Sequence, residues 1–291
     1  MAEFVEIVEM SPRDGLQNEK RIIPASGKIA LIDKLSSCGF RRIEAASFVS
    51  PKWVPQLADG AEVMAGIARR PGTRYTALVP NLKGYEAARA ARVDEVAIFV
   101  SASEGFSRAN VNCSIAESLD RLQPVAQAAR SDGIPLRGYV NCVVVCPYDG
   151  PTPPKAAADV AEKLLVLGCR EVALGETFGR GRPEEVAAML KAVCAVVPAR
   201  QLAGHYHDTD GHALANIRTS LDHGLRVFDA SVGGLGGCPY APGARGNVDT
   251  CAVAAMLEEL GFSSGLDRQM LDEAARLGRE LVSTSQREEA R

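Results

Sequence analysis

Strand-like and helix-like stretches alternate along this chain about eight times, and that regularity limits the folds open to it. Val5–Met10, Arg42–Ala46, Tyr75–Val79, Glu95–Val100, Leu136–Val145, Glu171–Leu174, Leu202–His207 and Val227–Val232 are short, apolar and poorly alternating. Strands of that kind are buried on both faces, as in parallel sheets. Longer stretches with helical spacing separate them. In the first, Ala25–Ser37, the residues Ile29, Leu31, Ile32 and Leu35 form the apolar face. The count and the length of 291 residues together predict an α/β protein, a single (β/α)8 TIM barrel. A doubly wound open sheet is the competing architecture, but the G-x-G-x-x-G turn such sheets often carry after the first strand is missing. The barrel is expected over residues 1–264. Residues 265–291 are expected to add one extra C-terminal helix (Leu266–Val282) and a polar, frayed tail within the same domain.

Composition narrows the function. A formal net charge of −3 argues against nucleic-acid or membrane-surface binding. None of the eight cysteines forms a Cys-x-x-Cys pair, and a chain this rich in core residues needs no disulfide staples. Cys142 and Cys146 are four apart, without a further ligand to complete a metal site. The acidic N-terminus runs straight into a strand. No signal peptide, transit peptide or membrane span is expected, and a reducing cytoplasm fits best.

Three of the four histidines lie between Gly204 and His212. On a strand, His205 and His207 point to the same face. Such a pair is either half of a divalent-metal site or two histidines hydrogen-bonded to neighbours. Position favours the metal, because a (β/α)8 barrel works at the carboxyl ends of its strands. Arg13 and Asp14 follow strand one, Glu44 ends strand two, and Arg137, Tyr139 and Asn141 lie in strand five. Glu176 follows strand six, the histidines end strand seven, and the loop Gly233–Tyr240 follows strand eight. Strand one adjoins strand eight in a closed barrel, so Asp14 is the best third ligand, against an Asx-turn before Gly15. A mixed nitrogen and oxygen set suits Mg²⁺ or Mn²⁺ and can hold Zn²⁺ or Co²⁺. Arg13 beside it suits an oxyanion clamp. Cys238 follows four glycines in a lid-like loop, where a thiol can move a proton. Asn247 closes that loop and offers an amide oxygen. His212 and His223 read as structural, and Gly233–Gly237 is a weak phosphate signal without a following Gly-Lys-Ser/Thr.

The runs Ser11–Glu19, Ser47–Gln56, Pro80–Gly84, Asn112–Ile115, His207–Thr209 and Gly236–Tyr240 closely resemble the hydroxymethylglutaryl-CoA lyase family. The resemblance covers nearly the whole chain. It places the chain among the DRE-TIM metallolyases, whose Asp, Arg and Glu match Asp14, Arg13 and Glu44. It implies metal-dependent retro-Claisen cleavage of an acyl-CoA, (3S)-3-hydroxy-3-methylglutaryl-CoA in the simplest case, to acetyl-CoA and acetoacetate. Leucine degradation and ketone-body metabolism are the implied setting. Carried over by position, Asp14, His205, His207 and Asn247 hold a divalent cation, Mg²⁺ or Mn²⁺. Arg13, Cys238, Glu44 and Glu176 are the expected catalytic set. Arg13, Gln17, Asn110 and Arg137 are expected to bind the substrate. A homo-oligomer is compatible with this reading.

Departures from the family pattern concern the substrate. Glu176 stands where the family has Asp, and one methylene moves a carboxylate by roughly 1.5 Å. Ala173 replaces a serine, Cys251 a glutamate, and Arg245 a small residue. They motivate two alternatives: a lyase for another 3-hydroxy-3-substituted acyl-CoA, such as citramalyl-CoA, and a barrel that binds acyl-CoA without cleaving it.

Overall fold

The computed structural model describes residues 2–236 and 246–288. Eight parallel strands close into one barrel: β1 (Glu6–Glu9), β2 (Arg42–Ser47), β3 (Arg74–Leu78), β4 (Glu95–Ser101), β5 (Leu136–Asn141), β8 (Glu171–Glu176), β9 (Leu202–Tyr206) and β10 (Val227–Ala230). A short antiparallel ribbon, β6 (Val145–Cys146) with β7 (Gly150–Pro151), interrupts the count between the fifth and sixth barrel strands. First and last strands meet directly, Glu6 opposite Val227 through Glu9 opposite Ala230. The expected (β/α)8 barrel is the fold observed.

The barrel helices are α1 (Ala25–Ser36), α2 (Gly60–Gly66), α3 (Leu82–Ala90), α5 (Ile115–Asp132), α6 (Pro154–Leu167), α7 (Pro183–Cys194), α8 (Ala213–Asp222) and α9 (Thr250–Glu259). Local chemistry sets several boundaries. Asn81 caps α3 by accepting from Gly84 N–H, and Ser114 with Glu117 forms a capping box on α5. A helix absent from the sequence reading, α4 (Glu104–Val111), is capped by Ser103 and ends at Asn112 in the left-handed conformation. The C-terminal helix α10 (Arg268–Glu288) runs past the expected Val282, because Gln286, Arg287 and Glu288 are good helix formers and no breaker intervenes. Leu271, Ala274 and Ala275 of α10 join the main core.

The barrel interior has an apolar layer and a charged one. Val8, Met10, Leu78, Ala97, Tyr139, Ala173 and Ala203 pack together inside the ring. Below them runs a ladder of compensated charges. Arg42 donates to Glu6 (2.8 Å) and Glu171 (2.7 Å); Arg137 donates to Glu171 (2.8 Å) and, with both terminal nitrogens, to Asp229 (3.1 and 2.7 Å). Buried charges are tolerated only when paired and hydrogen-bonded, as these are. Arg137 was expected at the carboxyl rim. It is the second residue of β5, so it lies deep in the barrel with its charge already satisfied.

Candidate metal centre and active site

Arg13 and Asp14 are presented by a single wide helical turn, Ser11–Gly15, directly after β1. One carbonyl holds the turn: Met10 O accepts the N–H groups of Arg13 (3.2 Å), Asp14 (2.9 Å) and Gly15 (3.1 Å). Glu9 supports it from below. Its carboxylate accepts from Ser11 N–H (2.9 Å), Val232 N–H (3.0 Å) and Thr250 hydroxyl (2.8 Å), which joins the loops after the first and last strands. Burial pushes the Glu9 carboxyl up to about 7 against those bonds. Gly15 is required by close approach, since a Cβ there would lie 2.8 Å from Ser231 Oγ.

His205 lies in β9, and His207 follows its last residue; both rings point into the mouth and both residues are buried. Their Nε2 atoms are 3.3 Å apart and lie 4.0 and 3.8 Å from Asp14 Oδ2. Asp14, His205 and His207 are the one three-residue cluster with metal-ligand spacing among the described residues. The returning segment 246–248 brings Asn247 beside them. Asn247 bridges to His207 and donates from Nδ2 to Asp14 Oδ2 at 2.7 Å. Gly236 leaves room for that amide: a Cβ would sit 2.9 Å from Nδ2, and its φ of 127° disfavours any other residue.

Do these residues fit a divalent cation? Asp229 accepts a hydrogen bond from His205 Nδ1 at 3.0 Å, so the His205 Nε2 lone pair faces the cluster. Two imidazole nitrogens then face each other with a carboxylate nearby. Neighbouring ligands of an octahedral ion with bonds of ~2.1 Å sit about 3 Å apart, close to the separations found. The amide oxygen of Asn247 is buried with no partner among the described residues, and a half-turn of the amide brings oxygen to the cluster. Burial and then His205 push His207 down to about 4, so at neutral pH its ring is uncharged and able to ligate. Burial raises the Asp14 carboxyl, but Arg13, both histidines and Asn247 overcome that and hold it ionised, well below the usual range. The donor set fits.

Arg13 completes the centre. It donates through Nε to Glu44 and through one terminal nitrogen to Asp14, while Tyr139 hydroxyl donates to the other Glu44 oxygen at 2.5 Å. Its second terminal nitrogen makes no hydrogen bond among the described residues. A fixed guanidinium with one open edge is suited to an oxyanion.

The structure therefore brings Arg13, Asp14, Glu44, His205, His207 and Asn247 together. Gln17 follows the same turn, half-buried and with no partner among the described residues. Asn110 is exposed on α4. Glu176 ends β8 but its carboxylate turns away from the cluster, toward the loop Gly179–Gly181, where burial pushes it up to about 7 against the backbone N–H groups of those residues. Ala173, expected to cost the substrate a hydroxyl contact, is fully buried in the apolar layer beside Tyr139. Cys251 lies in α9 near Asp249 and Asp272, and its thiol is pushed up to about 12, first by burial. Cys238 and Arg245 lie outside the described residues.

Asp229 was missed from the sequence. Its register opposite His205 gives it the part of orienting that ring. Asp229→Asn is expected to weaken Mn²⁺ affinity by about 10–100-fold with the fold intact, since the amide can present its N–H to Nδ1 and favour the wrong tautomer. Titration calorimetry beside a thermal melt measures both; unchanged affinity would remove Asp229 from the site.

The HMGL-like family profile matches residues 4–277. A lyase of Pseudomonas aeruginosa, named for 3-hydroxy-3-isohexenylglutaryl-CoA and hydroxymethylglutaryl-CoA, is 54% identical over 93% of this chain and 90% of its own length. The HMG-CoA lyase structure from Brucella melitensis superposes with a TM-score of 0.96 at 67% identity, covering 97% of this chain and 100% of that one. A structure from Acenitobacter baumannii, an HMG-CoA lyase with coenzyme A and 3-methylmalate, gives 0.91 at 37% identity, over 96% and 92%.

Proposed function

The chain belongs to the HMGL-like family and is a carbon–carbon lyase, and from that premise we propose that it cleaves (3S)-3-hydroxy-3-methylglutaryl-CoA to acetyl-CoA and acetoacetate. The observation that carries this reading is the Asp14–His205–His207 cluster with the open edge of Arg13 beside it. Asp14, His205, His207 and Asn247 would hold a divalent cation, Mg²⁺ or Mn²⁺. Such a cation polarises a bound hydroxyl or carbonyl oxygen and lowers the hydroxyl's pKa. Arg13 faces the thioester carbonyl, whose oxygen gains negative charge as the carbon–carbon bond breaks. Glu44, itself bonded by Tyr139, keeps the guanidinium in one orientation. The 3-hydroxyl proton passes to the ionised Asp14 carboxylate as the carbonyl forms, and Cys238, in the glycine-rich loop, delivers the proton that converts the enolate into the acetyl group. Glu176 acts indirectly. It shapes the loop after β8, and its backbone carbonyl accepts from His207 N–H at 3.3 Å.

A reducing cytoplasm suits the seven described cysteines, all free thiols. Among the described residues no helix is long and apolar enough to cross a membrane.

The test is acetyl-CoA release from a panel of 3-hydroxy-3-substituted acyl-CoA thioesters, with Mg²⁺ or Mn²⁺ present. Turnover of the methylglutaryl thioester is the expected result. A second reading keeps the chemistry and changes the 3-substituent, in line with the longer-branched substrate named for the Pseudomonas aeruginosa relative. Turnover of a longer-branched or citramalyl thioester alone would select it. Tight binding without product over hours would select a non-cleaving barrel.

A further inference from the structure

Across the barrel mouth from Arg13 stands a polar side chain that the fold itself does not use. In the closed ring β5 lies four strands from β1 in either direction, directly opposite it. Asn141 ends β5 and is half-buried, whereas the five residues before it are buried. Strand alternation turns it inward with Arg137 and Tyr139. Register fixes its level: Asn141 lies opposite Gly175 of β8, and Gly175 opposite His205 of β9. The amide and the imidazole therefore stand in one layer, two strands or about 10 Å apart, with no side chain between them. The amide leans into that gap, since a Cβ on Gly175 would lie 3.4 Å from Asn141 Oδ1.

The polar groups around it are engaged and Asn141 is not. Ser101, opposite it on β4, is buried and accepts from Ser103 N–H at 3.0 Å. Thr177 Oγ1 accepts from Cys142 N–H (3.1 Å) and donates to Gly175 carbonyl (3.4 Å). Tyr139, one layer lower, is held between Arg137 and Glu44. The Asn141 amide makes no hydrogen bond among the described residues. A half-buried amide with both N–H bonds uncommitted, facing a reaction site, is a donor available to substrate.

We infer that Asn141 donates to the terminal carboxylate of the substrate and so selects thioesters of dicarboxylic acids. This rests on the acyl-CoA lyase reading above. The assignment follows from what remains of the substrate once its other oxygens are placed. The thioester carbonyl faces Arg13, and the 3-hydroxyl is the oxygen that a cation beside His205 would polarise. The terminal carboxylate then lies beyond the breaking bond, toward β5, and a carboxylate takes only donors. Arg137, the cation of β5, is bound to Glu171 and Asp229 deep in the barrel. Asn141 is left to meet the carboxylate, and it holds the part that departs as the 3-oxo acid.

Glutaryl-CoA and valeryl-CoA have acyl chains of equal length and differ in the terminal carboxylate. Neither has the 3-hydroxyl, so neither is cleaved. Titration calorimetry with Mg²⁺ present is expected to show the unmodified protein binding glutaryl-CoA about tenfold more tightly or better, the effect of a hydrogen bond to a charged group. Asn141→Ala is expected to remove most of that preference, by weakening glutaryl-CoA and leaving valeryl-CoA as it was. Asn141→Asp is expected to reverse it, because two carboxylates then face each other. The thermal midpoint of Asn141→Ala should stay at the parental value, since the amide bonds nothing in the fold. Two results overturn the assignment: equal affinities for the two thioesters in the unmodified protein, or a preference undiminished in Asn141→Ala. Failure of the function itself looks different, because the discrimination holds and no 3-hydroxyacyl-CoA is cleaved.

Discussion

Replacing His205 with alanine is expected to abolish measurable divalent-cation binding and to lower turnover by about three orders of magnitude or more, the effect of losing several kcal/mol of charge stabilisation. The size follows from the geometry. His205 supplies one of three clustered ligand atoms, and its other nitrogen is the partner of Asp229. Removing the ring takes away a ligand and leaves Asp229 with Arg137 alone beneath the cluster. The fold should persist, because Asp229 keeps both bonds to Arg137 and the substitution leaves the rest of β9 unchanged. Titration calorimetry with Mn²⁺, an acetyl-CoA release assay and a thermal melt measure the three quantities. Wild-type Mn²⁺ affinity in a folded variant would end the case for His205 as a ligand.

Arg13→Met is expected to act on the other half of the reaction, lowering kcat by roughly 10²–10³, the range found when one oxyanion donor is lost. Cation affinity should fall by much less, since the three ligand atoms stay. Some loss is expected: Arg13 helps to keep the Asp14 carboxyl ionised, and without it that carboxyl titrates nearer its usual range. Glu44 also loses its cationic partner and keeps only Tyr139, so stability should fall as well. Arg13→Lys keeps the charge and loses the planar fork, so its kcat should lie between those of the two other proteins. A kcat for Arg13→Met within tenfold of the parent would show that the guanidinium does not meet the developing charge.

Much of this architecture is legible in the sequence. The strand–helix alternation specified the barrel, and strand order alone put Asp14 beside the histidines. What escaped notice were compensations between residues far apart in sequence. Arg137 and Asp229 are 92 positions apart, and each alone reads as a stray charge in an apolar strand. Both were visible as such. A charge in the middle of a strand buried on both faces needs a partner across the barrel, and that rule would have found the ladder. Glu176 misled for a different reason. Strand alternation turns its side chain outward, away from the face shared by Glu171 and Ala173, and residue type outweighed parity in placing it. The helix α4 was hidden because eight residues are too few for apolar spacing to stand out.

Asp14 follows the first strand and Asn247 the last, yet the two side chains share a hydrogen bond across 233 residues. A cation held by Asp14, His205, His207 and Asn247 would thus act as a clasp on the seam where the sheet closes. Its binding free energy would add to that of joining the two ends of the chain, because an open sheet offers it no complete set of ligands. Growth of the polypeptide has the same consequence: the site cannot exist until the eighth strand and the segment beyond it have been made. Occupancy by metal is therefore a report that the barrel is finished.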